Sequence, residues 1–132
     1  MAIEVVWDDE EKTIVRQTYG NEISIEDYYA GVKKRLELIS SVTYPVDLII
    51  DVSKGNPNIK GLLTASRYAN KHIPPNQRLV VIAGANLFVK SLVGVLKKIL
   101  PKISDTIHFV NTAEEAYHMI AEYREKLSGA GN

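Results

Sequence analysis

Asp51 and Ser53 stand two residues apart at the end of an apolar run, Val46-Asp47-Leu48-Ile49-Ile50, and Lys54-Gly55-Asn56-Pro57-Asn58 follows them. A carboxylate and a hydroxyl at a strand end can hold the polar groups of a ligand or partner. They are no catalytic pair, because a serine nucleophile needs a base and no histidine is near in sequence. Lys54 and Lys60 flank the start of the next helix, where free backbone N–H groups suit an anion. Gly55 lets backbone approach a ligand closely. The spacing is not that of a P-loop. The plainer alternative is a strand–helix turn capped by Asn56 or Asn58, with Asp51 accepting hydrogen bonds from loop amides. The three histidines, His72, His108 and His118, lack the spacing of a metal site, and the chain has no cysteine. Disulfides, thiolate catalysis and cysteine-ligated zinc are thereby excluded. The ligand- or partner-binding candidates are Asp51, Ser53, Lys54, Gly55, Asn56, Lys60 and Leu63; no catalytic residue, metal or cofactor is expected.

The elements that must position these residues are legible from periodicity. Ile3 to Trp7 alternates, Asp8 to Lys12 is a charged turn, and Thr13 to Tyr19 returns, which makes a hairpin. Ser24 is a good N-cap with Asp27 to answer it, and Ile23 and Tyr28 occupy the positions of a hydrophobic staple. Ile25, Tyr29, Val32, Leu36 and Ile39 are the expected buried stripe of the first helix. Leu48 to Ile50 is the central strand. The second helix is expected from about Asn58 to His72, with Ile59, Leu62, Ala65, Ala69 and Ile73 inward, and Pro74-Pro75 stops it. Leu79 to Ile82 reads as a strand buried on both faces. A third helix runs from Leu87 to about Leu100, Ile107 to Val110 is the last strand, and Thr112-x-x-Glu115 boxes a fourth helix ending at Leu127. The expected fold is α/β, a mixed, mostly parallel sheet with an N-terminal hairpin and the order ββαβαβαβα. One domain over residues 1–127 and a disordered tail over 128–132 complete the reading.

The third helix has an unusually broad apolar arc. At 100° per residue Phe88, Val89, Leu92, Val93, Val95, Leu96, Ile99 and Leu100 span roughly 160°, against about 100° for an ordinary core-facing stripe. Lys90, Lys97 and Lys98 lie opposite. Val89, Val93 and Leu100, at the edge of the arc, are the candidate surface for a homodimer seam or a lipid contact. Seven tyrosines add side chains that suit interfaces and the rims of cores alike.

Composition narrows the function classes. Sixteen basic and sixteen acidic residues balance among 132, which argues against a dedicated nucleic-acid binder. Met1 to Asp9 has neither the basic flank nor the apolar core of a signal peptide. No stretch approaches the roughly 18 apolar residues of a membrane span, so a soluble, cytoplasmic protein is expected.

The element order, with Gly20 before the first helix, Asp51-Val52-Ser53 after the third strand, Gly61-Leu62 in the second helix and Phe109-Val110-Asn111-Thr112-Ala113-Glu114-Glu115-Ala116 at the last strand–helix junction, resembles the STAS domain of bacterial anti-sigma-factor antagonists. The resemblance covers nearly the whole chain and implies a regulatory, protein-binding module. It fails at one place. In regulatory members Asp-x-Ser is followed by Asp-Ser-Ser-Gly or Asp-Ser-Thr-Gly, whose last hydroxyl takes a phosphate from a partner kinase. Here the corresponding stretch is Asn58-Ile59-Lys60-Gly61. No hydroxyl precedes Gly61, and Lys60 has the sign opposite to phosphate. The expectation is a divergent member without the phosphorylation switch. It would be a non-catalytic module for a protein partner, through the second helix and the Ser53–Asn58 loop. The alternative is a small-molecule or lipid binder using the crevice at the strand ends, between that loop and Ala83–Asn86.

Overall fold

The computed structural model describes residues 2–55, 57–99 and 107–130. Strands β1 (Ile3–Trp7) and β2 (Ile14–Tyr19) form the antiparallel hairpin. Asp9 closes its turn by accepting from the backbone N–H groups of Thr13 and Ile14 at 2.8 and 2.9 Å. Then follow α1 (Ile25–Ser40), β3 (Val46–Asp51), α2 (Ile59–Lys71), β4 (Gln77–Ala83), α3 (Leu87–Ile99), β5 (Ile107–Val110) and α4 (Ala113–Ala130). The order ββαβαβαβα is the expected one. Helix α4 continues through Ser128 and Gly129 to Ala130, so the start of the expected tail is helical; residues 131 and 132 lie outside the described residues.

The capping box at Ser24 and Asp27 forms as expected. Val32 and Ile39 of the expected α1 stripe are buried, as are the staple residues Ile23 and Tyr28, but the buried face is turned away from Tyr29. Tyr28, Val32, Arg35 and Ile39 face inward, and Tyr29 is exposed. The stripe is turned because Tyr28 packs edge-on against Tyr19, ring centroids 5.8 Å apart, and because a charged residue, Arg35, shares the buried face.

All five strands pair in chain order, with β2, β3, β4 and β5 parallel. Right-handed crossovers that always step in one direction put their helices on one face. Helices α1, α2 and α3 therefore cover one side, over Val15, Leu48, Val80 and Ile82. Helix α4 alone covers the other, where Ala116 and Ile120 meet Ile49, Leu79 and Val81.

One buried carboxylate ties the α4 side together. Asp47 has no exposed surface. It accepts from Arg78 Nε and Nη2 at 3.0 and 2.9 Å, from the Leu79 N–H at 3.0 Å and from Arg124 Nε at 2.9 Å. Arg124 also reaches the Thr13 carbonyl at 3.1 Å, which joins α4 to the hairpin. Burial alone would raise the pKa of Asp47, but the donors from Arg78, Leu79 and Arg124 outweigh it and hold it below the usual carboxylate value.

Because the folded-state pKa is depressed, the stabilisation is complete above the unfolded value, near 4, and is lost as pH falls through the folded one. Asp47→Asn removes the counter-charge of two arginines and turns one of their two acceptor oxygens into an NH2 donor. It should lower stability at neutral pH by about 3 kcal/mol, the low end for a broken buried pair because both arginines reach solvent. Urea unfolding of the wild type and the variant from pH 7 to pH 2 checks this, and the variant should lose most of the acid dependence.

Candidate functional site

The strand-end loop is a packed turn. Asp51 is buried and accepts from the Ser53 N–H at 2.9 Å and the Ser53 hydroxyl at 2.6 Å. Both side chains hold the turn, and the hydroxyl proton of Ser53 is committed to a carboxylate with no imidazole between. A Cβ on Gly55 would strike the carbonyl oxygens of Tyr19 and Gly20, so its lack of a side chain serves contact with the β2–α1 connection and not with a ligand. Gly84, at φ +78°, lies against Ser53 in the same way. Among the described residues, this loop and the β4–α3 turn are thus in close contact at Ser53 and Gly84. The reason is topological: the chain leaves β3 and β4 toward the same face of the sheet, so no switch point lies between these two connections. Lys54 and Lys60 are exposed and Leu63 is half-buried, while Asn56 lies outside the described residues.

Asn58 caps α2, its Oδ1 accepting from the Gly61 N–H at 2.7 Å. Its own N–H donates to the Tyr28 hydroxyl at 2.9 Å. The Tyr28 ring stands directly under the first turn of α2, where a Cβ at position 61 would collide with it. Tyr28 thereby sets the height at which α2 crosses the sheet.

Below α2 the space is not filled. A cavity of about 380 Å³ lies between α2, α3 and the sheet. That size falls within the range of about 300–1,000 Å³ of small-molecule sites. Leu48, Ile50, Val80 and Ile82 form its floor. They alternate along β3 and β4, so one face of each strand supplies them. Helix α2 contributes the small residues Ala65, Ser66 and Ala69, which leave the gap that larger side chains would close. Helix α3 contributes Val89, Val93 and Leu96. Val89 and Val93 are only 5% and 8% exposed, so they do not form the outward edge expected of them. The broad arc of α3 has one edge toward the cavity while Val95, at its other edge, is 52% exposed; Leu87, outside the arc, is 82% exposed. Leu100 lies outside the described residues.

The polar residues of the lining are Tyr19, Arg35, Ser66 and Gln77, and among them Arg35, 6% exposed, carries the charge. Arg35 Nη1 donates to Gln17 Oε1 at 3.1 Å, and Gln17 Nε2 donates to the Tyr19 hydroxyl at 3.2 Å. Arg35 Nε is buried without a partner. None of the ion pairs among the described residues involves Arg35. An uncompensated buried cation costs several kcal/mol. Burial lowers the pKa of Arg35, with the Tyr19 phenol opposing, and pushes that of Tyr19 up to about 12, so the phenol keeps its proton. Gln17, Tyr19 and Arg35 were not candidates in the sequence. The available signal was an arginine on the inward side of α1, three residues after Val32 and four before Ile39. Among the described residues no three histidine, aspartate or glutamate side chains gather as a metal site, and no helix is long and apolar enough to cross a membrane.

Gly61→Ala tests the support under α2. Helix propensity favours alanine by about 1 kcal/mol, but overpacking against a fixed ring costs about 1–3 kcal/mol. The variant should therefore be less stable than the wild type in urea unfolding; a gain in stability would mean that the Tyr28 ring moves aside freely.

No family model matches the chain, and comparison with curated proteins finds no match. Among solved structures the chain is similar to an uncharacterised protein of the DUF3478 family from Shewanella loihica PV-4, described as having a SpoIIAA-like fold. The TM-score is 0.62 at 14% identity, over 89% of this chain and 91% of that one. The chain has the SpoIIAA-like fold, which is the fold of STAS domains and anti-sigma-factor antagonists.

Proposed function

We propose that this protein is a non-catalytic binding module that takes a small, largely apolar molecule between α2, α3 and the sheet. The observation that carries the reading is the 380 Å³ cavity with apolar walls on three sides. Apolar side chains supply the binding free energy there, and a few buried polar groups fix orientation. The ligand site is therefore the sheet face and not the strand ends. Nile red, a neutral apolar dye, is a suitable probe. One equivalent should bind with a rise in fluorescence, and Ala69→Phe, which fills the cavity from α2, should abolish the rise while near-ultraviolet circular dichroism stays native. Undiminished dye binding by that variant would place the dye elsewhere and remove the reading.

A second reading is a module for a protein partner, as the SpoIIAA-like fold suggests. It is favoured by the outward faces of α1 and α2. Lys60 is exposed near the start of α2. Tyr29 and Tyr68 meet edge-on at 5.8 Å, with the Lys33 ammonium 5.9 Å from each ring. Tyrosines with a nearby cation form the kind of patch that anchors interfaces. In pull-down from the native cells, Lys60→Glu should lose any partner the wild type retains, with the same melting temperature. Retention of that partner would move the contact away from the start of α2.

A further inference from the structure

We infer that the ligand of the α2–α3 cavity is a single-chain amphipath with a carboxylate head, seated at Arg35 and Tyr19 with its chain along the apolar walls. The inference rests on the cavity being a binding site and adds the charge of what enters it. Arg35 lines the cavity, is nine-tenths buried and has no carboxylate partner among the described residues. A guanidinium that only had to hold Gln17 would not need to be charged, and a neutral amide would do that work without the desolvation. Its Nη1 is engaged by Gln17 and its Nε is buried without an acceptor, while Nη2 makes none of the hydrogen bonds among the described residues and is the N–H group left for a ligand. The Tyr19 hydroxyl accepts from Gln17, and its own proton has no acceptor among the described residues. One cation and one free hydroxyl proton in a common lining match the two oxygens and single charge of a carboxylate. They fall short of what a phosphate dianion with three oxygens requires. Leu48, Ile50, Val80 and Ile82 below, with Val93 and Leu96 beside, offer an alkyl chain apolar contact, and Ser66 and Gln77 are the other polar residues of the lining.

The test is displacement of Nile red by decanoate and by 1-decanol, which differ in the charge of the head. A charged hydrogen-bonded contact made out of water should favour decanoate by about tenfold or more in the wild type. Arg35→Met should bring the two affinities together, and Arg35→Lys should keep part of the preference. Equal affinities in the wild type, or a preference that persists in Arg35→Met, would overturn the anionic head while leaving the cavity reading intact. Dye binding with displacement by neither compound would also overturn the amphipath. No dye binding at all would remove both readings. If Arg35→Met does not fold, the wild-type comparison and Arg35→Lys decide.

Discussion

Because each parallel strand is laid beside the one before it, every right-handed crossover in this chain must set its helix on the same face of the sheet. Three helices then share one face and a single helix holds the other. The crowded face cannot be covered by identical packing at every helix. Helix α1 lies close, through the buried Gly31 beside Ile3 and through Val32 and Ile39. Helix α2 is held up at its first turn by the Tyr28 ring and presents small side chains inward, so the space between it and α3 stays open. The cavity is a consequence of strand order together with one tyrosine and two alanines, not of a dedicated loop.

The two faces treat buried charge in opposite ways. On the α4 side Asp47 is surrounded by donors from β4 and α4, and its negative charge is fully used in joining elements. On the other side Arg35 has one amide acceptor and no counter-charge. Burial lowers the pKa of Arg35 with little to oppose it, whereas Arg78, bonded to Asp47, is raised. A saturated charge stabilises a fold, and an unsaturated one lining a cavity is stabilised by what arrives. The asymmetry separates the structural half of the molecule from the half that is open to a ligand.

Much of the architecture was legible in the sequence because local rules and the fold agree. Ser24 and Asp27, the Asp8–Lys12 turn, Pro74-Pro75 and the apolar run of β4 each act within a few residues, and all four stand where periodicity and capping chemistry put them. The capped-turn reading of Asp51 and Asn58 also matches the geometry. What was not legible depends on distance in sequence. Tyr28 is inward because of Tyr19 and Asn58, nine residues before and thirty after it, as the numbering gives. An apolar count makes Arg35 a surface residue, since the helix pattern carries no information about a glutamine on β2 that will face it. The crevice at the strand ends stood as one alternative, because strand alternation with helices does not reveal to which face each connection leaves the sheet, and a crevice opens only where neighbouring connections leave to opposite faces.

The absence of a hydroxyl before Gly61 acquires a physical context in this arrangement. At the start of α2 the Asn58 side chain already occupies the Gly61 N–H and the Asn58 carbonyl the Leu62 N–H, while the Asn58 N–H is spent on Tyr28. The cap thus meets the Gly61 N–H from within the chain, and Lys60 beside it is exposed to solvent. Of the buried side-chain atoms without a partner among the described residues, which include Arg16 Nε and Thr18 Oγ1, that of Arg35 belongs to a cavity-lining cation. The anion site we propose lies instead inside the sheet–helix layer, where an anion must bring an apolar body with it. That requirement selects amphipaths over the free phosphate or phosphoryl group that an exposed helix terminus would accept.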